Sequence, residues 1–238
     1  AGMGVIYLVR HGQANALAYG IADATDDLSN GPGGLTTTGA TQAALSGGFL
    51  AGQIPAFTAA ASGDLPRQQQ TLSGVLGAFD TGRPQPHVDP GWNEYSLPAL
   101  VGEATPEMYR DGRSYQEQLD KGLAAWIAAG EHDAAPGLDG GPAESYPQFK
   151  ARVSDAAARA TELAGSGQTV LVVSSAGTIT QWIAQLWGIP DETWPAMART
   201  MVNASISKLI VGRSGVSVVS FNEHGHLSDR DGGIATFR

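Results

Sequence analysis

The chain has 238 residues, 42 % of them hydrophobic, with a formal net charge of −9 and no cysteine. This length and apolar content suit one α/β domain, with or without an inserted lobe. The negative balance argues against a nucleic-acid surface or an anionic membrane as partner, and the missing cysteines exclude a disulfide framework and a thiolate metal site. No apolar run approaches the ~20 residues that span a bilayer. The first residues carry neither a basic nor an apolar leader pattern, so a cytoplasmic protein is the expectation.

Residues 5–9, Val-Ile-Tyr-Leu-Val, read as a buried strand, because four of the five are β-branched or aromatic. It ends abruptly in Arg10, His11, Gly12 and Gln13. Open α/β sheets place their ligand crevice at the carboxyl ends of strands. Arg10 offers a planar fork of donors to a phosphate or carboxylate. His11 is a nucleophile or base near neutral pH, and Gly12 lets the backbone turn and approach a ligand. Leu8-Val9-Arg10-His11-Gly12 resembles the signature of the histidine phosphatase superfamily, the phosphoglycerate mutase-like proteins. That resemblance implies that His11 is transiently phosphorylated.

Thr36 or Thr37 is placed to cap a helix running to about residue 51, with Ala40, Ala43, Ala44 and Leu50 as its inner face. Residues 57–61 read as a second strand, followed by Ser62 to Thr71 and a helix to about residue 79. Pro66 suits the first turn of that helix, and Arg67 then sits where free N–H groups attract an anion. A surface arginine would satisfy the same pattern. The resemblance favours the site role, because the family carries its second phosphate-binding arginine in a segment of this form. A short strand at 85–89 leads to Glu94 among aromatic residues, where burial would raise a carboxyl pKa toward general-acid duty. The resemblance makes Glu94 the proton donor.

Residues 96–146 are the least regular part and read as an inserted helical and loop lobe over the site. Thr105-Pro106-Glu107 starts a helix that reaches about residue 129, with a break at Gly112, and residues 131–142 form a Pro/Gly-rich loop. Tyr109, Tyr115 and Trp126 suit either a substrate pocket or core packing. His87 and His132 have no evident partners in the sequence. Ser145 introduces a helix with Phe149, Val153, Ala156, Ala157, Ala160 and Leu163 on one face. Residues 169–173 form a second strongly apolar strand, and the helix after it stops near Gly188. A further helix is expected at 191–200. Strands at 205–211 and 216–221 form a hairpin.

The exit of the second apolar strand departs from the resembled pattern. The family usually carries a second histidine there, and this chain has Ser175, followed by Ala176. A serine hydroxyl is shorter and neutral. Losing one aimed donor typically slows a reaction by about 10²–10³ while leaving the nucleophile in place. Restoring a histidine at 175 is therefore expected to cost no activity.

The reading is an α/β fold: a three-layer α/β/α sandwich with a mostly parallel central sheet, one domain over 1–238 with the insertion at about 96–146. The expected activity is hydrolysis of a small-molecule phosphate monoester through a phosphohistidine on His11, with Arg10, Arg67 and Glu94 catalytic. Gln13, Ser175 and Ala176 would bind substrate. Neither a cofactor nor a metal is required, and a homodimer is left open. Alternatives are a phosphate-ligand sensor on the same fold, a mutase, and a serine hydrolase built on Ser175, Asp191 and His224. The last leaves both arginines unexplained. A metal site from His11, His224 and His226 is a further alternative.

Overall fold

The computed structural model describes residues 2–21, 26–96, 105–132, 144–228 and 233–237. Six strands form one sheet in the order β3-β2-β4-β1-β5-β6: β1 Gly4–Arg10, β2 Ala59–Ser62, β3 His87–Val88, β4 Thr169–Ser174, β5 Ile206–Gly212 and β6 Gly215–Glu223. The first four are mutually parallel; β5 and β6 run antiparallel at one side. Both faces of the sheet are buried at its centre, which explains why β1 and β4 are apolar throughout rather than alternating. Ile6, Leu8, Val170 and Val172 point into one core cluster. Tyr7, Val9, Leu171 and Val173 point into the other. Period-two side-chain direction divides one continuous apolar run between two helical layers, giving the three-layer arrangement.

The smaller core is closed by α1, Thr37–Ala51, and α2, Pro66–Leu76. Thr36 caps α1, its hydroxyl accepting from the Gly39 N–H at 3.0 Å. The inner face of α1 is Gly39, Gln42, Ala43, Ser46, Gly47 and Leu50, while Ala40 and Ala44 are exposed. The helical period is as the sequence suggests, but its phase differs: small and polar residues face inward because α1 lies close against its neighbours. Gly12 and Gly39 meet backbone to backbone, and a Cβ on Gly12 would overlap the Gly39 carbonyl.

The larger core gathers α3 Pro106–Arg110, α4 Arg113–Ala129, α5 Tyr146–Leu163, α6 Ala176–Trp187 and α7 Trp194–Ala198. The expected break falls between α3 and α4, where Gly112 has a positive φ. Ser145 and Gln148 form a reciprocal capping box at the start of α5. Tyr115, Leu123 and Trp126 of α4 bury into the same cluster as Phe149 and Val153 of α5. The loop expected at 131–142 falls largely outside the described residues. The helix expected at 191–200 is a single short segment, α7. Among the described residues no helix is long and apolar enough to cross a membrane.

Candidate active site

Three parallel strands end at one level. Arg10 of β1 is in register with Ser174 of β4, and Ser62 of β2 with Val173. Beyond these ends lie His11, the start of α2 with Arg67, and the start of α6 with Ala176 and Gly177. The backbone of His11 is held on both sides: its N–H donates to Ser174 O at 3.0 Å, and its carbonyl accepts from Ala204 N and Asn203 Nδ2, each at 3.2 Å. Thr71 ties the next residue down, accepting from Gly12 N at 2.9 Å and donating to Arg67 O at 2.7 Å.

The imidazole of His11 is buried, and its Nδ1 lies 2.7 Å from Gly12 O. A carbonyl oxygen only accepts, so Nδ1 carries the proton and Nε2 keeps its lone pair. Arg67 Nε donates to that Nε2 at 3.2 Å. Burial, reinforced by Arg67 and Arg10, drives the His11 pKa well below the ordinary histidine value. The ring is therefore neutral at neutral pH, with the unprotonated Nε2 directed at Arg67.

Arg67 is buried in the first turn of α2, its guanidinium 5.7 Å above the Tyr19 ring. Arg10 donates from one terminal nitrogen to the carbonyls of Met201 and Phe237, the latter at 3.2 Å. Its buried Nε has no hydrogen-bond partner among the described residues. Burial lowers the Arg10 pKa, opposed by Tyr19 and Glu94 beside it.

Glu94 follows a 3-10 turn, Pro90–Trp92, and is buried. Its Oε2 accepts from Gly177 N at 2.9 Å at the start of α6, and its Oε1 from the Thr178 hydroxyl at 3.2 Å. Burial raises its pKa above the usual carboxyl value, against the opposing pull of Gly177 N–H, Arg67 and Thr178. The segment carrying it is fixed from below. Ser174 and Gln68 both donate to Trp92 O, and Arg152 donates to Asn93 O at 2.7 Å while its Nε meets Glu144 at 2.7 Å. A Cβ on Gly177 would overlap both Tyr95 and the Glu94 carboxylate, so glycine is required at the second position of α6.

Arg10, His11, Arg67, Glu94 and Ala176 line a single cavity of about 150 Å³. Gln13 and Ser175 do not line it. The Gln13 side chain accepts from the Thr36 hydroxyl at 2.8 Å, on the α1 side of the loop. Ser175 is buried beside β4, its hydroxyl accepting from Gln68 Nε2 at 3.0 Å.

Tyr115 lines the cavity, whereas Trp126 packs in the core and Tyr109 stacks on Tyr19. The cavity is completed by Tyr19, Leu119, Leu123, Ala198, Arg199 and Phe237, which no local motif in the sequence signals. They arrive from a 3-10 turn, from α4 and α7, and from the segment 233–237.

Asp191 and His224 do not form a triad with Ser175. Asp191 pairs with Lys150 at 3.0 Å and Tyr146 at 3.2 Å, while exposed His224 bonds to Asn222 O. Ser175 has ordinary extended backbone angles, unlike the strained turn of a nucleophile elbow. His226 lies in a turn against Ser46 of α1, and His87 is exposed. Among the described residues no group of three or more His, Asp or Glu side chains is placed to hold a metal ion.

Solved structures share this architecture over nearly their whole lengths. Glucosyl-3-phosphoglycerate phosphatase from a mycobacterium aligns with a TM-score of 0.63 at 21 % identity, covering 93 % of this chain and 100 % of that one. The alpha-ribazole phosphatase of Shigella flexneri aligns with a TM-score of 0.63 at 23 % identity, covering 92 % and 96 %. A phosphoserine phosphatase mutant of Entamoeba histolytica bound to phosphoserine also scores 0.63, at 19 % identity, covering 94 % and 99 %. These likenesses establish the fold. No curated protein matches by sequence. The family pattern described as histidine phosphatase superfamily (branch 1) matches residues 6–224, and the chain belongs to that family.

Proposed function

We propose that the protein is a phosphatase that hydrolyses a small-molecule phosphate monoester through a phosphohistidine on His11. The observation that carries the reading is the state of that ring: Nδ1–H engaged by Gly12 O and Nε2 unprotonated beside Arg67. Nε2 attacks phosphorus in line, and the bond from phosphorus to the leaving oxygen breaks. Arg10 and Arg67 hold the equatorial oxygens, and Arg67 exchanges its bond to Nε2 for one to the phosphoryl group. Protonated Glu94 gives its proton to the leaving oxygen. Its carboxylate then takes a proton from the water that attacks the phosphohistidine, releasing phosphate and restoring the acid. Ala176, at the first position of α6, offers an N–H that has no partner within the helix.

Ser175 is outside the cavity, so the donor that the resemblance assigns to this position is missing. That favours slower turnover, and it keeps a phosphate-ligand sensor as the second reading. The deciding experiment is release of phosphate from p-nitrophenyl phosphate, together with acid-labile labelling of the protein by a phosphorus-labelled ester. The phosphatase predicts both, and neither in His11→Ala. Tight binding of phosphate esters without turnover or label would establish the sensor instead.

A further inference from the structure

We infer that the leaving group of the substrate is uncharged and mainly hydrocarbon, an aryl or alkyl alcohol rather than a phosphorylated acid. This rests on the phosphatase reading and goes on to name the substrate class.

Beyond the phosphoryl subsite, the described cavity wall is mainly apolar, with Leu119, Leu123, Pro195, Ala198 and Phe237 beside Tyr115, and Gln116 and Arg199 as its polar members. Two of its polar groups, Arg199 and Gln116, are bonded to Asp120, while the buried Tyr19 hydroxyl has no hydrogen-bond partner among the described residues. Arg199 Nη1 donates to Asp120 Oδ2 at 2.8 Å, and Gln116 Nε2 donates to Asp120 Oδ1 at 2.8 Å. Both carboxylate oxygens are thereby taken, and the cation at the rim is neutralised by a partner outside the lining. The Tyr115 hydroxyl donates to Tyr19 O.

A second anionic group on a substrate would find Arg10 and Arg67 committed to the phosphoryl oxygens and Glu94 nearby. It would have to share Arg199 with Asp120 to gain a cation. A hydrocarbon body displaces water from Leu119, Leu123 and Ala198 without breaking any of these bonds.

The test compares hexyl phosphate with O-phosphoserine and 3-phosphoglycerate. All three expel an alkoxide, so differences in kcat/KM report recognition of the body rather than leaving-group chemistry. Hexyl phosphate is expected to be favoured by about tenfold or more. Leu119→Lys, which adds an unpaired cation at the half-buried rim, is expected to narrow or reverse that ratio. The wild-type panel stands alone if the variant does not fold.

A wild-type ratio below about tenfold, or a preference for either acid, overturns the inference while leaving the phosphatase reading intact. Absence of release from every ester, p-nitrophenyl phosphate included, with wild type equal to His11→Ala, overturns both.

Discussion

On the floor of the cavity, Arg10, His11 and Glu94 are held by backbone groups of elements far apart in the chain, and Arg67 is held by the His11 ring. On its wall, α4 and α7 contribute Leu119, Leu123 and Ala198, which meet the cavity with hydrocarbon. The floor is a set of buried ionisable groups whose positions are fixed by hydrogen bonds. The wall is held by burial of apolar surface and by one half-exposed ion pair, Arg199–Asp120. The difference suggests a division of labour. Chemistry that must stabilise charge needs preorganised donors, whereas recognition of a hydrocarbon body needs only shape and dryness. Substitutions on the floor should therefore act on kcat across all substrates, and those on the wall should act on the choice among substrates.

The sharpest way to break that comparison is His11→Ala. Removal of the nucleophile is expected to lower kcat by at least about 10⁴-fold for every ester, with no phosphoenzyme formed. Substrate-dependent loss would mean that the floor does not act as one unit. Arg67→Ala comes next, with an expected loss of about 10²–10³-fold in kcat. It carries a second readout. Arg67 helps to hold the His11 pKa down, so its removal raises that pKa, and an NMR titration of the imidazole shows the shift. In the wild type the His11 proton stays off well below pH 6.5. The unfolded chain gains a proton as pH falls through about 6.5 while the folded chain does not, so His11 erodes stability on the acid side.

Glu94→Gln tests whether the raised carboxyl is the acid. The expected loss is about 10²-fold for alkyl phosphates and smaller for p-nitrophenyl phosphate, whose leaving group needs no proton. In the wild type kcat/KM falls as pH rises through the elevated Glu94 pKa, and the variant loses that limb. The same shift sets a stability trend. Burial disfavours the charged form, so Glu94's contribution is complete below its unfolded pKa and is lost as pH rises through the folded one. The glutamine variant should then melt higher than wild type above that pH, measured by differential scanning calorimetry. A catalytic gain together with a stability loss would invert the assignment.

Much of the floor was legible in the sequence because its residues sit at fixed offsets from element ends. Arg10 and His11 leave β1, Arg67 occupies the first turn of α2, and Ala176 begins α6, so strand and helix boundaries locate them. Glu94 was legible mainly through resemblance, since its aromatic neighbours are a weak local mark of the carboxylate that reaches Gly177 across the sheet. Of the wall, the sequence offered Tyr115, as pocket or core residue, and none of its aliphatic members. Leu119, Ala198 and Phe237 belong to segments whose own patterns fit ordinary amphipathic packing, and long-range contacts alone bring them to one cavity. On α1, Ala43 and Leu50 face inward as expected and Ala40 and Ala44 do not, for a related reason. Alanines there look like a core face, yet Gly39, Gln42, Ser46 and Gly47 are buried because tight backbone approach and hydrogen bonding outweigh side-chain hydrophobicity.

Ser175 gives the smallest effect and tests where the floor ends. Its hydroxyl lies outside the cavity and receives one of the two Gln68 amide hydrogens, the other going to Trp92 O. Ser175→Ala leaves the Trp92 bond and the Glu94 segment in place. It should therefore change kcat/KM by less than about twofold while costing roughly 1–2 kcal/mol in urea-unfolding stability through the unpaired donor. Ser175→His, expected from sequence alone to cost nothing, must fit an imidazole where the Gln68 amide now lies. Overpacking of that kind costs about 1–3 kcal/mol, and the displaced Gln68 withdraws one of the two donors to Trp92 O, which fixes the approach to Glu94. The structure therefore predicts that histidine at 175 lowers activity more than alanine does. A histidine variant more active than both wild type and Ser175→Ala would mean that the imidazole reaches the phosphoryl subsite and that the floor extends through this position.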